Sequence, residues 1–324
     1  IPNPQSPFLK RNEESFFIKR LNIKEFNKPI KFINKIHSNI IAISDKSSKI
    51  KIIELNKNLA NYSIIQEIKP NKENSIYSMI YLPYLSYYQN RHYFCTSNDY
   101  YIFFFRSNKQ PNNLFNLNEN YYDSIQDKPS LISQGVNNAS KNNNQNKDNI
   151  KPLSFDLIET IQLNTLVHSL IEIDEKYIAA ACTNSDSIKF FDTNNNFELK
   201  KDINDINTCG GSYIMSLVDN RKVLVVGYTK GFCFISTQNL EIIKNYNIDK
   251  SIISLGVIYD NSIIYCAINN KKEKKIMQAE YLPEQNLIKI NDSYFEVEDE
   301  VWDLKCFSNN IYFISNSDLN IFQN

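Results

Sequence analysis

The run Leu166-Val-His-Ser-Leu-Ile-Glu-Ile-Asp-Glu-Lys-Tyr-Ile-Ala-Ala-Ala-Cys-Thr-Asn-Ser-Asp-Ser-Ile-Lys-Phe-Phe-Asp192 holds three short β-type segments, Val167 to Ile173, Tyr177 to Cys182 and Ser187 to Phe191. Asp-Glu-Lys and Thr-Asn-Ser-Asp separate them, and such side chains stand in for backbone partners in tight turns. The run therefore predicts a three-strand meander, completed by an outer strand over Phe197 to Ile203.

Weaker copies extend in both directions. Upstream, Lys31 to Ile36, Ile40 to Ser44, Lys49 to Leu55 and Ser63 to Lys69 make one unit. Ile76 to Leu82, His92 to Thr96, Tyr100 to Phe105 and Leu153 to Leu163 make a second. Downstream, a fourth unit spans 213–246, a fifth 252–297 and a sixth 301–322; the sixth has three strands only. Their first strands share a pattern of apolar, variable, Ser or Asp, apolar: Ile76-Tyr77-Ser78-Met79, Val167-His168-Ser169-Leu170, Ile214-Met215-Ser216-Leu217, Ile252-Ile253-Ser254-Leu255 and Val301-Trp302-Asp303-Leu304. From unit three onward the variable residue recurs at intervals of 47, 38 and 49 residues (168, 215, 253 and 302), the spacing of four-stranded propeller blades.

Two stretches stand apart. Ser15 to Ile23 is an outer-type strand without a neighbour, and pairing it with the short sixth unit covers an edge that would otherwise invite aggregation. Residues 107–150 are dominated by Asn, Gln, Lys and Ser and carry too little apolar surface to offset the entropy of ordering them. A disordered insertion is expected there, pinned at most through Phe115, Leu117, Tyr121 and Tyr122. Residues 1–14, with three prolines, read as a linker or tail ahead of a single domain over 15–324.

Asn184-Ser-Asp-Ser-Ile-Lys-Phe-Phe-Asp192 resembles the repeat ending of WD40 proteins, with Phe191-Asp192 in the place of the Trp-Asp pair. Lys49 to Glu54 and Asn316 to Phe322 are fainter versions. The resemblance implies an all-β, WD40-like β-propeller. Six four-stranded blades closed by the N-terminal strand are expected, with seven as the alternative. It also implies that the variable residue and the one two positions before it open onto the face around the central channel, where partner proteins or peptides dock. Carried over residue by residue, that face presents Tyr77, His168, Met215, Ile253 and Trp302, with Leu166, Tyr213 and Glu300 among those around them; Lys31 is the corresponding position in the first unit. Aromatic and Met side chains suit such anchors, because they bury much area at little entropic cost.

Composition excludes several classes. Lys plus Arg and Asp plus Glu balance at 36 each, so there is no global basic field for a nucleic-acid backbone. No apolar run approaches the ~20 residues of a membrane helix. The six cysteines (95, 182, 209, 233, 266 and 306) stand singly without metal-ligand spacing, which fits buried thiols in a reducing, cytoplasmic setting. His37, His92 and His168 lie in no nucleophile or zinc motif, and Asp303 is the only acid in the first-strand pattern, too few for Ca²⁺. No catalytic residue, metal or cofactor is expected. The expected function is a non-catalytic interaction scaffold, a module of a larger protein or complex; a structural subunit of a large assembly is the alternative, ahead of a propeller hydrolase. With only six glycines, Asn, Asp and Lys are expected to supply most turns.

Overall fold

The computed structural model describes residues 18–22, 30–37, 39–45, 49–55, 62–70, 75–108, 153–183, 185–204, 206, 214–258, 261–269, 271–272, 275–297, 301–307, 310–315 and 318–323. Strands dominate and arrange as an all-β propeller. The expected insertion and the tail, with Cys209, Tyr213 and Glu300, lie outside the described residues or mostly so.

The strands follow the units read from the sequence. After β1 (Ile18–Asn22) come β2 (Ile30–His37), β3 (Ile40–Asp45), β4 (Ile50–Leu55) and β5 (Tyr62–Ile68), one antiparallel sheet in that order. The second sheet is β6 (Ile76–Tyr81), β7 (Tyr93–Asn98), β8 (Tyr101–Ser107) and β9 (Phe155–Gln162), with a helix, α1 (Pro83–Gln89), between its first two strands. The third is β10 (Val167–Glu172), β11 (Tyr177–Cys182), β12 (Ser187–Asp192) and β13 (Glu198–Ile203). The fourth is β14 (Ile214–Val218), β15 (Val223–Tyr228), β16 (Gly231–Ser236) and β17 (Glu241–Asn247).

The next sheet departs from the four-stranded unit. Its strands are β18 (Ser251–Ile258), β19 (Ser262–Asn269), β21 (Lys275–Leu282) and β22 (Leu287–Glu296), and a fifth, β20 (Lys271–Lys272), folds back on β19. Lys271 and Lys272 therefore carry ladder pairing of their own, opposite Asn269 and Ile268. The last sheet joins β23 (Val301–Phe307), β24 (Asn310–Ser315) and β25 (Asp318–Gln323) to β1, with Ile18 opposite Phe322 and Asn22 opposite Asp318. The regular four-stranded blade is thus realised five times, not the six expected.

Packing follows from composition. Successive sheets face each other through Ile, Val and aromatic side chains, and the core is divided among those seams. Between the first two sheets lie Ile36, Ile52, Met79, Phe94 and Phe105, the last two rings stacked 4.7 Å apart. Between the next two, Phe104 stacks on Phe197 at 4.0 Å. Phe234 lies on Tyr281 at 5.1 Å between the fourth and fifth. Inner strands touch in succession, β2 against β6, β6 against β10, β10 against β14, β14 against β18, β18 against β23, and β23 against β2. The scarcity of glycine is met as the sequence suggested for Asn and Asp: of the eleven non-glycine residues with positive φ among the described residues, eight are Asn or Asp, including Asp99, Asp186, Asn196 and Asn286.

Candidate functional site

The inner strands share a defect in their ladders. In β6, Ile76 pairs with Asn98 and Ser78 with Ser97, so Tyr77 has no opposite residue. Likewise Val167 pairs with Cys182 and Ser169 with Ala181, skipping His168. Ile252 pairs with Ala267 and Ser254 with Cys266, skipping Ile253; Val301 pairs with Ser315 and Asp303 with Ile314, skipping Trp302. In β2, Ile30 pairs with Asp45 and Phe32 with Ser44, skipping Lys31. An extra residue of this kind leaves the ladder, bends the strand and re-aims its own side chain. Four of the residues singled out by the sequence pattern, together with Lys31 of the first unit, are therefore bulge residues, all near the start of an inner strand.

Met215 breaks the series. Here the ladder is regular, with Ile214 opposite Gly227 and Met215 opposite Val226. Met215 is 4% exposed and belongs to the core between the third and fourth sheets. The expectation of a surface anchor at 215 is corrected on that point: without a bulge, the residue stays in the pleat and its side chain turns into the seam.

The bulges bring two predicted residues together. The rings of Tyr77 and His168, from adjacent sheets, lie 5.0 Å apart with a tilt of 49°. Both are half-buried. Burial, then the Asp99 carboxylate to which its hydroxyl is hydrogen-bonded, pushes the Tyr77 phenol above its ordinary value. Asp99 also accepts the Val167 N–H through its carbonyl at 2.8 Å, so the β7–β8 turn fixes both the ring and the start of β10. Leu166, half-buried, accepts the Thr183 N–H at 3.0 Å through its carbonyl. Ile253 is half-buried and packs partly on the seam between the last two sheets. Tyr213 and Glu300 lie outside the described residues.

Ser78, at the Ser position of the pattern in the second sheet, has a different task. Ser78 Oγ accepts the Leu170 N–H of the next sheet at 3.0 Å, while Ser97 Oγ donates to the Val167 carbonyl at 3.0 Å. Asn34, in β2, does the same one seam earlier: its amide donates to the Met79 carbonyl at 2.8 Å, and its oxygen accepts the Tyr81 N–H at 3.1 Å. Asn34 and Asp99 were not singled out by the sequence pattern, since their partners lie on other strands, 45 residues away from Asn34 at Met79 and on β6 and β10 for Asp99.

At the opposite end of the sheets, the third and fourth sheets pass from first to second strand by short turns, whereas the second sheet inserts α1. Glu172, 3% exposed at the end of β10, accepts the Tyr84 and Leu85 N–H groups, each at 3.0 Å. It caps a helix whose own N-cap residue, Leu82, makes no side-chain bond. Burial pushes the Glu172 carboxyl up to about 8, against the lowering effect of those two N–H groups and of Arg221. Arg221, from the β14–β15 turn, donates through Nε to the Ile173 carbonyl at 2.9 Å and through Nη2 to the Glu172 carbonyl. Its guanidinium lies 4.7 Å from the centre of the Tyr84 ring. Three consecutive sheets are tied at this point.

Among the described residues no three of His, Cys, Asp and Glu gather as metal ligands, and no helix is long and apolar enough to cross a membrane. His92 is buried, with Nδ1 3.0 Å from the Tyr81 hydroxyl. Cys95, Cys182, Cys233 and Cys266 are buried thiols outside any disulfide. No protein-family model matches the chain, and no curated protein matches it.

Proposed function

We propose that the chain is a diverged WD40-like propeller, its ring closed where β1 joins the sheet of β23 to β25, and that it works as a non-catalytic interaction scaffold. The partner is a protein or peptide that docks on the face around the central channel, over the bulge residues. The observation that carries this is the ladder defect at Lys31, Tyr77, His168, Ile253 and Trp302. A bulge costs ladder pairing, and its repetition near the start of five inner strands sets five backbone positions at a common level of the ring. Closure draws support from the β1–β25 ladder and from the contact of β2 with both β6 and β23.

Rigid sheets suit such work because they hold the ring side chains in place before a partner arrives, which lowers the entropic cost of binding. Cysteines that stand singly in apolar strands fit a cytoplasmic, reducing setting. As a second reading, a structural subunit draws support from apolar side chains on the outer strands, Leu157, Leu199 and Ile290, each more than a third exposed.

The test is recovery of partners on the tagged protein, identified by mass spectrometry, compared with a Tyr77→Ala, Trp302→Ala double variant. Loss of the partners by a folded variant supports the ring as the docking face. Undiminished recovery refutes it and turns attention to the outer strands.

A further inference from the structure

The connection at α1 is out of proportion to its neighbours. Sheet two spends residues 82–92 where the third and fourth sheets turn within a few residues, at 173–176 and 219–222. The helix buries Leu85 and Ser86 and turns tyrosines outward: Tyr88, at 55%, is the most exposed large apolar side chain among the described residues. Tyr87 meets it edge to face at 5.5 Å. Exposing an aromatic face on a seven-residue helix gains nothing for the core.

That face is held still. Pro83 opens the helix and Glu172 caps its first turn. Asn90 ends it in the left-handed conformation, its N–H donating to the Ser86 and Tyr87 carbonyls. The Ser86 hydroxyl accepts the Tyr93 N–H at 2.8 Å, anchoring the buried side. A fixed aromatic surface loses little entropy when something binds it.

Charge indicates what would bind. The β10–β11 turn, which carries Asp174 and Glu175, follows directly on Glu172 at the cap of α1, and the Tyr88 phenol is raised by burial first and then by the Glu175 carboxylate, with Asp174 contributing less. At the inner end of the same tyrosine row, the Arg221 guanidinium already sits over Tyr84, with its N–H groups bonded to carbonyls of β10 and the residue after it. Aromatic faces beside carboxylates attract guanidinium and ammonium groups. Arg221 fills one such position from within the chain. We propose that the Tyr87–Tyr88 end of α1, with Asp174 and Glu175, is a docking surface for an arginine-bearing basic segment of a partner protein. It stands apart from the bulge residues: β6 starts at Tyr77's end and delivers α1 to the other.

Fluorescence anisotropy with labelled Arg-Gly, Lys-Gly and Glu-Gly repeat peptides tests this on the full chain at physiological salt. The Arg-Gly peptide is expected to bind, more tightly than Lys-Gly, with no binding of Glu-Gly. Tyr88→Ala and Glu175→Gln each weaken it by about fivefold, while Tyr88→Phe, which keeps the ring, stays within about twofold. Tyr77→Ala leaves it unchanged. Because Tyr88 is exposed, its variants keep the fold, which circular dichroism checks. Absence of Arg-Gly binding, equal binding of the acidic peptide, or wild-type affinity in both Tyr88→Ala and Glu175→Gln would overturn the proposal.

Discussion

Tyr77 and His168 sit at equivalent places in neighbouring sheets, and the bulges that free them from their ladders leave their rings 5.0 Å apart. Neither ring fills a core seam, so truncating either one removes little buried area. Tyr77→Ala and His168→Ala are expected to change unfolding free energy by less than about 1 kcal/mol. Met215→Ala, at the corresponding position without a bulge, empties part of a seam and is expected to cost about 2–4 kcal/mol. Urea unfolding of the three variants checks the contrast; a large loss at 77 together with none at 215 would reverse the assignment of ring and core.

Glu172 makes stability depend on pH. Its folded-state value is raised, from 4.5 to about 8, so the folded chain holds a proton that the unfolded chain has released in that window. Stability therefore falls as pH rises from about 4.5 to about 8, by up to about 1.4 kcal/mol per pH unit from this group. Glu172→Gln keeps an acceptor for the N-terminus of α1 and removes the titration. The difference in melting temperature between wild type and this variant should shift in the variant's favour toward pH 8.

Ser78 ties two sheets through the Leu170 N–H, and that N–H is buried. Ser78→Ala leaves the donor without its acceptor at a cost of about 1–3 kcal/mol. Ser78→Thr, which keeps the hydroxyl, should recover part of it in the same denaturation assay.

Gly256 is held by lack of room. A Cβ there would lie 2.6 Å from Cys306 Sγ, 3.0 Å from Leu304 Cδ2 and 3.2 Å from the Cys306 backbone nitrogen, all in β23. Gly256→Ala must push the last two sheets apart and is expected to cost about 1–3 kcal/mol. Thermal unfolding measures it directly.

Burial also pushes the Cys182 and Cys233 thiols up to about 12, and Cys95 well above its ordinary value. Thiolate is the reactive form. In the folded protein these three should resist a thiol reagent at neutral pH and react together on unfolding, which mass spectrometry of labelled peptides resolves.

Much of this arrangement was legible in the residues. Alternation and apolar runs marked nearly every strand, and the orphan segment at 15–23 was placed beside the last unit, where β1 pairs with β25. The pattern also marked the bulge residues, though not the bulges: Ile214-Met215-Ser216-Leu217 matches it and stays regular. Whether a strand bulges depends on its neighbours across the seam, which a local pattern does not contain. Helix α1 escaped for a similar reason. Seven residues are too few to show a helical period, and the cap comes from Glu172, 87 or 88 positions later. Pro83 followed by tyrosines was the one local sign of a helix start. The fifth strand β20 was hidden in Lys-Lys-Glu-Lys-Lys, whose composition favours a solvated tip.

Closure of the ring is tested most directly by joining β1 to β25. Arg20 stands opposite Asn320 in that ladder, and facing residues of an antiparallel pair lie within disulfide reach. The Arg20→Cys, Asn320→Cys variant should form an intramolecular disulfide under mild oxidation and melt at a higher temperature than its reduced form. Thiols that stay free, in a protein that is otherwise folded, would contradict a ring closed by its N-terminal strand.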